Sequence, residues 1–185
     1  MTNTYSDITF TRKDDLSKGE FENCTFQGLD LSNQNLNGYI FIDCHYTDCN
    51  LSSASILGTA FRTVSFEGCK LLGLSFHLCN EFGLTLTFNN CILNHSSFYK
   101  RKLKKTQFKN SQLKEVDFTE SDLSECCFEN CALNMAVFEN CNLTKTDFRL
   151  ANNYTIDPER NKLKKTRFSF PSVIGLLDKY DISID

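Results

Sequence analysis

The sequence predicts a single-domain, all-β solenoid, which is a chain wound into a coil, and three observations predict it. Apolar residues recur every five positions, the residue type at those positions recurs every twenty, and the 185 residues include 17 Phe but no Trp. Neither the 3.6-residue period of a helix nor the two-residue period of a strand sustains a five-residue repeat. A chain that turns inward once in every five residues has a coil as its natural solution.

Two runs of apolar residues carry the five-residue spacing. The first run comprises Phe21, Phe26, Leu31, Leu36, Phe41, Tyr46, Leu51, Ile56, Phe61, Phe66, Leu71 and Phe76. The second comprises Phe88, Leu93, Phe98, Leu103, Phe108, Leu113, Phe118, Leu123, Phe128, Leu133, Phe138, Leu143 and Phe148. Because residue type repeats every twenty positions, four pentads make one turn. The runs therefore make a little over six turns, stacked at about 4.8 Å.

The position two residues before each central residue should also point inward, and small residues gather there. They are Cys24, Cys44, Cys49, Ala54, Cys69, Cys91, Ser96, Ser111, Ser121, Cys126, Cys131, Ala136 and Cys141. A free thiol behaves as a small buried hydrophobe, so packing accounts for eight of the ten cysteines. We therefore expect free thiols and no disulfide framework.

Individual pentads match a known consensus. Residues 24–28 (Cys-Thr-Phe-Gln-Gly) and 121–125 (Ser-Asp-Leu-Ser-Glu) resemble the A-(D/N)-L-x-x repeat of the pentapeptide-repeat family. The resemblance extends from Phe21 to Phe168. It implies a right-handed quadrilateral β-helix.

The spacing slips once inside the coil. Phe76 and Phe88 are twelve residues apart rather than ten, so two residues are inserted between them. We expect a first stack at about residues 16–78, a junction at 79–87 and a second stack at about 88–168. The segment around Phe82 and Gly83 is similar to the glycine-marked junction between the two stacks of the quinolone-resistance (Qnr) members of the family. Glycine suits such a bulge because it adopts backbone angles closed to other residues.

The C-terminal part departs from the repeat. Residues 151–160 put Asn153 and Pro158 at inward positions, which predicts a surface loop. In residues 170–185, a proline follows Phe170 and apolar residues recur at helical spacing, which predicts a short amphipathic α-helix that closes the coil. In the family, such a helix pairs two rods, so the resemblance implies a homodimer. The expected interface comprises Phe170, Val173, Ile174, Leu177, Tyr180 and Ile182.

No catalytic, cofactor-binding or metal-ligating residue is predicted. His45 follows Cys44, but adjacent inward and outward side chains point apart and cannot share a metal. Phosphate loops, nucleophile elbows and dinucleotide fingerprints are absent from the sequence. Cys127 lies one position before Phe128 and is expected to be an exposed thiol. No apolar stretch approaches a membrane span and no signal peptide is recognisable, which predicts a cytoplasmic protein without membrane contact.

Charge is distributed unevenly along the chain. Residues 1–98 hold five basic residues (Lys and Arg) and ten acidic residues (Asp and Glu). Residues 99–185 hold fifteen basic and thirteen acidic residues. Basic runs at 100–105 and 162–165 fall on one face, because Leu103 and Leu163 share a column. Such runs most often belong to solvated faces. Direct nucleic-acid binding is not expected, because Tyr99 alone is thin support for a base-stacking surface.

Two functions are compatible with these features. The likeness to the quinolone-resistance proteins implies a non-enzymatic mimic of duplex DNA that binds a type II topoisomerase, DNA gyrase or topoisomerase IV. Against mimicry, the net charge is only −3 and the unbroken run from Phe21 to Phe76 leaves no room for projecting loops. The alternative is a generic protein-interaction scaffold. A continuous negative stripe would favour the mimic, and a patchwork of both signs would favour the scaffold.

Overall fold

The computed structural model describes residues 3–183, and their backbone winds into an all-β solenoid of about six turns. Eleven short strands form two parallel sheets among these residues. The strands are β1 (Asn3–Ser6), β2 (Thr9–Phe10), β3 (Gly19–Glu22), β4 (Thr25–Gln27), β5 (Ile40–Ile42), β6 (His45–Thr47), β7 (Ala60–Arg62), β8 (Val64–Glu67), β9 (Leu86–Asn89), β10 (Gln107–Lys109) and β11 (Cys127–Glu129).

The pairing register follows the twenty-residue period of the sequence. One sheet has the order β1-β3-β5-β7, and the other runs β2-β4-β6-β8-β9-β10-β11. Phe41 is paired with Phe21 on one side and with Phe61 on the other, so each step to the next strand is one turn of the coil. Isolated parallel bridges with the same offset, such as Asp122 to Asn142, continue the stacking where no strand is assigned.

Stacked aromatic rings fill one side of the core from end to end. The rings are Phe10, Phe26, Tyr46, Phe66, Phe88, Phe108, Phe128, Phe148 and Phe168. Neighbouring centroids in this column lie 4.4 to 5.5 Å apart with interplanar angles of 1 to 20°. The strand spacing of about 4.8 Å suits parallel phenyl rings, which explains why one ring shape recurs and the larger indole does not.

The small residues beside this column are buried, as the sequence predicts. Several also donate a hydrogen bond to a carbonyl of the preceding turn. The Cys126 thiol donates to the carbonyl of Leu103 at 2.9 Å, and the Thr146 hydroxyl donates to the carbonyl of Leu123 at 2.7 Å. All ten cysteines are free. Packing and these bonds give each thiol a structural role.

The coil begins earlier than the regular repeat. β1 pairs with β3 from Asn3 opposite Gly19, and β2 pairs with β4 from Thr9 opposite Thr25, so the first turn is shorter than the others. The ring of Tyr5 stacks on Phe21 at 4.7 Å. A 3-10 helix at Lys13–Asp15 interrupts the spacing after the second strand. This interruption hid the first turn in the sequence.

The predicted C-terminal α-helix is wrong. Residues Ser172–Leu176 and Asp178–Tyr180 form two short 3-10 helices, and residues 3–183 contain no α-helix. The carbonyl of Gly175, which an α-helix would engage four residues later, accepts a hydrogen bond from the Ile156 amide at 3.1 Å instead. The Leu177 and Tyr180 amides bond three residues back, which is the 3-10 pattern.

The loop predicted at 151–160 contributes to the core. Asn153 is exposed and has φ of 57°, a left-handed angle that asparagine tolerates. Tyr154, one position after Asn153, is buried in its place, and Ile156 is buried at the inward position two before Pro158. Pro158 is half-buried. These residues close the end of the coil, against the expectation of a purely superficial loop.

Candidate interaction surfaces

The two inserted residues lie in a turn at 80–84. Pairing changes from an offset of twenty residues, at Tyr46 with Phe66, to twenty-two, at Phe66 with Phe88. The seven-stranded sheet crosses this point without a break. Phe82 projects from the turn with 74% of its surface exposed, and the Arg62 guanidinium lies 5.3 Å from the centre of its ring. This is cation–π geometry.

Gly83 has the backbone angle that makes the turn. Its φ is 71°, and a Cβ placed there would lie 3.2 Å from Cγ of Arg62. Arg62 also forms an antiparallel bridge with Leu84, which folds the turn back over the preceding strand. Both backbone angle and space therefore favour glycine at this position.

The C-terminal end of the coil carries an uncovered apolar surface. Leu176 packs against the core, whereas the residues expected at a dimer interface face outward. Val173 is half-buried, and the exposed members are Phe170, Ile174, Leu177, Tyr180 and Ile182. Phe170 is 82% exposed. We call these six residues the end surface.

Ion pairs hold the end surface against the loop before it. The Lys179 amine lies 2.7 Å from a carboxylate oxygen of Asp157 and 2.7 Å from one of Glu159. Hydrogen bonds to these carboxylates raise the pKa of Lys179, and the bond to Lys179 lowers the pKa of Asp157. The Tyr180 hydroxyl donates to Glu159 at 3.1 Å. These contacts orient the apolar side chains that follow.

Elsewhere the rod carries ion pairs between successive turns. Lys100 lies 3.3 Å from Glu120, and Lys109 lies 3.4 Å from Glu129. Further cross-turn pairs join His95 with Glu115 and Arg160 with Glu139. These pairs place opposite charges beside each other on the surface. Between residues 100 and 160 the surface therefore carries a mixed-sign pattern rather than an acidic stripe.

One side of the last turns differs, and we call it the lysine face. It comprises the outward residues of the stacked pentads 101–105, 121–125, 141–145 and 161–165. Parallel bridges join Lys102 to Asp122, Asp122 to Asn142 and Asn142 to Lys162. Its exposed lysines are Lys102, Lys104, Lys105, Lys145, Lys162, Lys164 and Lys165. With Asp122 and Glu125 as its carboxylates, seven positive charges face two negative ones, a net charge of +5.

Few of these lysines are neutralised. Lys104 lies 3.3 Å from Glu125, and within residues 3–183 the other six lysines form no ion pair. Asp122 is engaged elsewhere, because one of its oxygens accepts hydrogen bonds from the Ser124 amide and the Asn142 side chain, both at 2.9 Å. The lysine face is therefore a cationic surface on a firm backing of buried leucines.

Most of the thiols have a raised pKa, which suits them poorly to chemistry, whereas the hydrogen bond with Cys69 lowers the pKa of the buried Cys91. Burial raises the pKa of Cys44 to about 11 and that of Cys131 to about 12. Cys127 is half-buried, and burial followed by the charge of Asp147 raises its pKa as well. A thiol with a raised pKa is mostly protonated near neutral pH and is a weak nucleophile.

The histidines make local contacts. The His45 ring nitrogen Nδ1 lies 2.6 Å from the Ser65 hydroxyl, and Nδ1 of His95 lies 3.1 Å from Glu115. Within residues 3–183, no three His, Cys, Asp or Glu side chains converge as metal ligands would. In the same range, no helix has the length and apolar character that crossing a membrane requires.

Comparison with protein families gives one match. A model of the pentapeptide repeat region matches residues 19–86 and 84–168, which together include most of the chain. A search of curated protein sequences finds no match.

Solved structures give likenesses at low sequence identity. A trypsin-treated form of QnrB1, described as a plasmid-mediated fluoroquinolone resistance protein, is similar with a TM-score of 0.64 and 16% identity. The alignment covers 100% of this chain and 98% of QnrB1. HetL of the cyanobacterium Nostoc, a pentapeptide repeat protein of heterocyst differentiation regulation, aligns with a TM-score of 0.39 and 12% identity over 89% of this chain and 84% of HetL. At such identities the likeness to QnrB1 shows the fold alone.

Proposed function

The chain belongs to the pentapeptide-repeat family, and we propose that it is a non-enzymatic scaffold whose outer surface binds another protein. Solenoids offer long, regular faces on a fixed core, which suits them to this use. The coil here keeps the central residues of its repeats and most thiols inside, so the outward positions are available for recognition. Within this proposal the coil is four-sided, which the period of four pentads per turn supports, and right-handed, which the family resemblance implies.

The observation that best supports the scaffold proposal is the mixture of positive and negative charges on the surface between residues 100 and 160. A mimic of duplex DNA needs a continuous negative stripe to enter a basic groove. In this rod, Glu120, Glu129 and Glu139 each pair with a lysine or arginine about one turn away. Local complementarity of this kind supports specific docking to a protein surface of matching pattern.

Partner capture tests the scaffold. We expect wild-type protein to capture a partner from its source cells. Reversing Glu120 and Glu129 to lysine should release the partner, because like charges then replace the cross-turn pairs. The control variant reverses the charge of Asp30, which lies on an earlier turn, by the same change to lysine. A partner retained equally by all three proteins would contradict binding through this surface.

A second candidate is modulation of a type II topoisomerase, DNA gyrase or topoisomerase IV. It is favoured by the likeness to QnrB1 over the full length of both chains. It is also favoured by the resemblance of Phe82 and Gly83 to the junction of the quinolone-resistance proteins. Direct binding of purified gyrase to the immobilised rod, with a Gly83→Val variant beside it, tests this candidate.

We further propose that two copies pair through the end surface. Five apolar side chains exposed at one end of a coil are costly in water, and a two-fold interface would cover both copies at once. Leu177→Asp should convert a dimer to a monomer in sedimentation equilibrium, because the carboxylate would be buried unpaired. The matched control is Leu57→Asp, an exposed leucine elsewhere on the rod. A wild-type monomer at all concentrations would contradict the pairing.

A further inference from the structure

We infer that the lysine face binds the phosphodiester backbone of a duplex nucleic acid. The whole chain has a net charge of −3, and the lysine face alone carries +5, so the remaining residues together carry −8. Such separation of charge is unexpected for a uniformly solvated rod. A surface of unpaired cations gains affinity for a polyanion because binding releases the counterions of the phosphates.

The arrangement of the lysines fits a groove of the duplex. Lys102, Lys104 and Lys105 form one triad, and Lys162, Lys164 and Lys165 form another. Three turns of the coil separate them, a distance of about 14 Å at the strand spacing. The major groove of B-DNA is about 12 Å wide, so the two triads can reach phosphates on both of its rims. Lys145 lies between them, one turn from Lys165.

The residue types select among anionic ligands. Lysine supplies compact point charges that suit phosphate oxygens, and the exposed cations on this face are all lysines. The outward residues between the lysines are Asp122, Ser124, Glu125, Asn142 and Thr144. This set contains no aromatic ring on which a single-stranded base could stack and no apolar side chain that could enter a lipid interface.

The backing of the lysine face favours a preformed site. Leu103, Leu123 and Leu143 are buried directly behind it. Hydrogen bonds from Ser124 and Asn142 to one oxygen orient the Asp122 carboxylate along the face. The backbone therefore stays in place when a duplex binds, and only the lysine side chains lose freedom.

This inference departs from the expectation drawn from the sequence. That expectation asked for aromatic or arginine groups, which single strands require and a duplex backbone does not. The structure adds two facts that the sequence lacks. Six lysines of the face stand without an ion-pair partner among residues 3–183, and Asp122 is occupied by hydrogen bonds.

Fluorescence anisotropy with a labelled DNA duplex of about 20 base pairs, at about 50 mM salt, tests the inference. We expect saturable binding that weakens linearly in log–log plots against salt. The triple variant Lys162→Gln, Lys164→Gln, Lys165→Gln should bind about tenfold more weakly or worse, and the magnitude of its salt slope should fall by about 2.7. The control Lys70→Gln, Lys109→Gln, Lys114→Gln makes the same change in net charge elsewhere and should remain within about twofold.

A variant that should bind the duplex more tightly excludes misfolding as the general cause of altered binding. Asp122→Asn with Glu125→Gln removes both carboxylates from the lysine face and should strengthen duplex binding. Absence of duplex binding at about 100 µM protein would overturn the inference, as would equal losses in the two triple variants. Tighter binding to phosphatidylserine vesicles or to an acidic peptide than to the duplex would overturn it in favour of that ligand.

Discussion

The body of the coil and its C-terminal end are held together in different ways. Between residues 86 and 148, the phenylalanine rings stack on rings one turn away, and most backbone hydrogen bonds recur twenty residues later. Between residues 151 and 182, contacts that occur only once also hold the structure together. The Ile156 amide donates a hydrogen bond to the carbonyl of Gly175, and Lys179 pairs with Asp157 and Glu159. Repetition makes the body tolerant of outward substitutions, whereas the end depends on particular residues.

The largest effect should come from the centre of the aromatic column. Phe108→Ala removes a fully buried ring that stacks at 5.2 Å on Phe88 and at 4.8 Å on Phe128. We expect a loss of about 3 to 5 kcal/mol in the free energy of unfolding, measured by denaturant titration. Phe170→Ala, at an exposed ring of the end surface, should cost less than about 0.5 kcal/mol. Equal losses would mean that the column does not stabilise the body.

The next largest effect should be at the turn of residues 80–84. Gly83→Val places a β-branched residue at positive φ and against Arg62, and should cost about 2 to 3 kcal/mol. Gly58 has a similar φ but open space around it, so the stability lost in Gly58→Val measures the cost of the backbone angle alone. We expect X-ray scattering to show a bent rod only for Gly83→Val, with both halves folded. An unchanged profile would contradict the requirement for glycine at this turn.

Thiol labelling should separate the surface from the core. Cys127 is half-buried and the other nine cysteines are buried, so iodoacetamide should modify one thiol in the native protein, counted by mass spectrometry. The raised pKa of Cys127 predicts a rate that still increases above pH 9. Asp147→Asn removes a nearby negative charge, so the pKa should fall and the rate at pH 8 should rise. Labelling of several thiols in native protein would show that the coil opens.

The smallest effect should be at the end. Asp157 has a lowered pKa in the folded state, so its pair with Lys179 stabilises the end above the unfolded pKa and is lost as pH falls through the folded one. Hydrogen exchange of the Ile156 amide, corrected for the intrinsic effect of pH, should therefore show less protection below about pH 4. Asp157→Asn should show reduced protection already at pH 7. Protection of this amide that does not change with pH in the wild type would contradict the account.

The sequence predicted what repeats and failed where a contact occurs once. The central residues and the small residues before them follow from a five-residue period, and their burial is confirmed from Phe21 to Phe148. The first turn was missed because its spacing breaks after Phe10. The α-helix was wrongly expected because the bond from Ile156 to Gly175 leaves no trace in local apolar spacing.

The candidate surfaces show the same difference between features that repeat and contacts that occur once. The sequence placed the two basic runs on one face, since column membership follows from the period. It gave no sign that Glu120 and Glu129 are paired across turns while Lys162 and its neighbours are not, because those pairings depend on side-chain rotamers. The six residues of the end surface were expected at a dimer interface, and whether they form one stays a prediction.

The measurement that tests the central claim most directly is DNA supercoiling by purified gyrase with the rod titrated in, with and without a quinolone. Because the lysine face is inferred to bind duplex DNA, the titration includes the variant Lys162→Gln, Lys164→Gln, Lys165→Gln. A scaffold that does not bind gyrase should, in this variant, leave supercoiling and drug inhibition unchanged, even well above the enzyme concentration. Inhibition or drug protection by the wild type that is lost in Leu177→Asp would contradict the scaffold and establish a dimeric modulator of the topoisomerase.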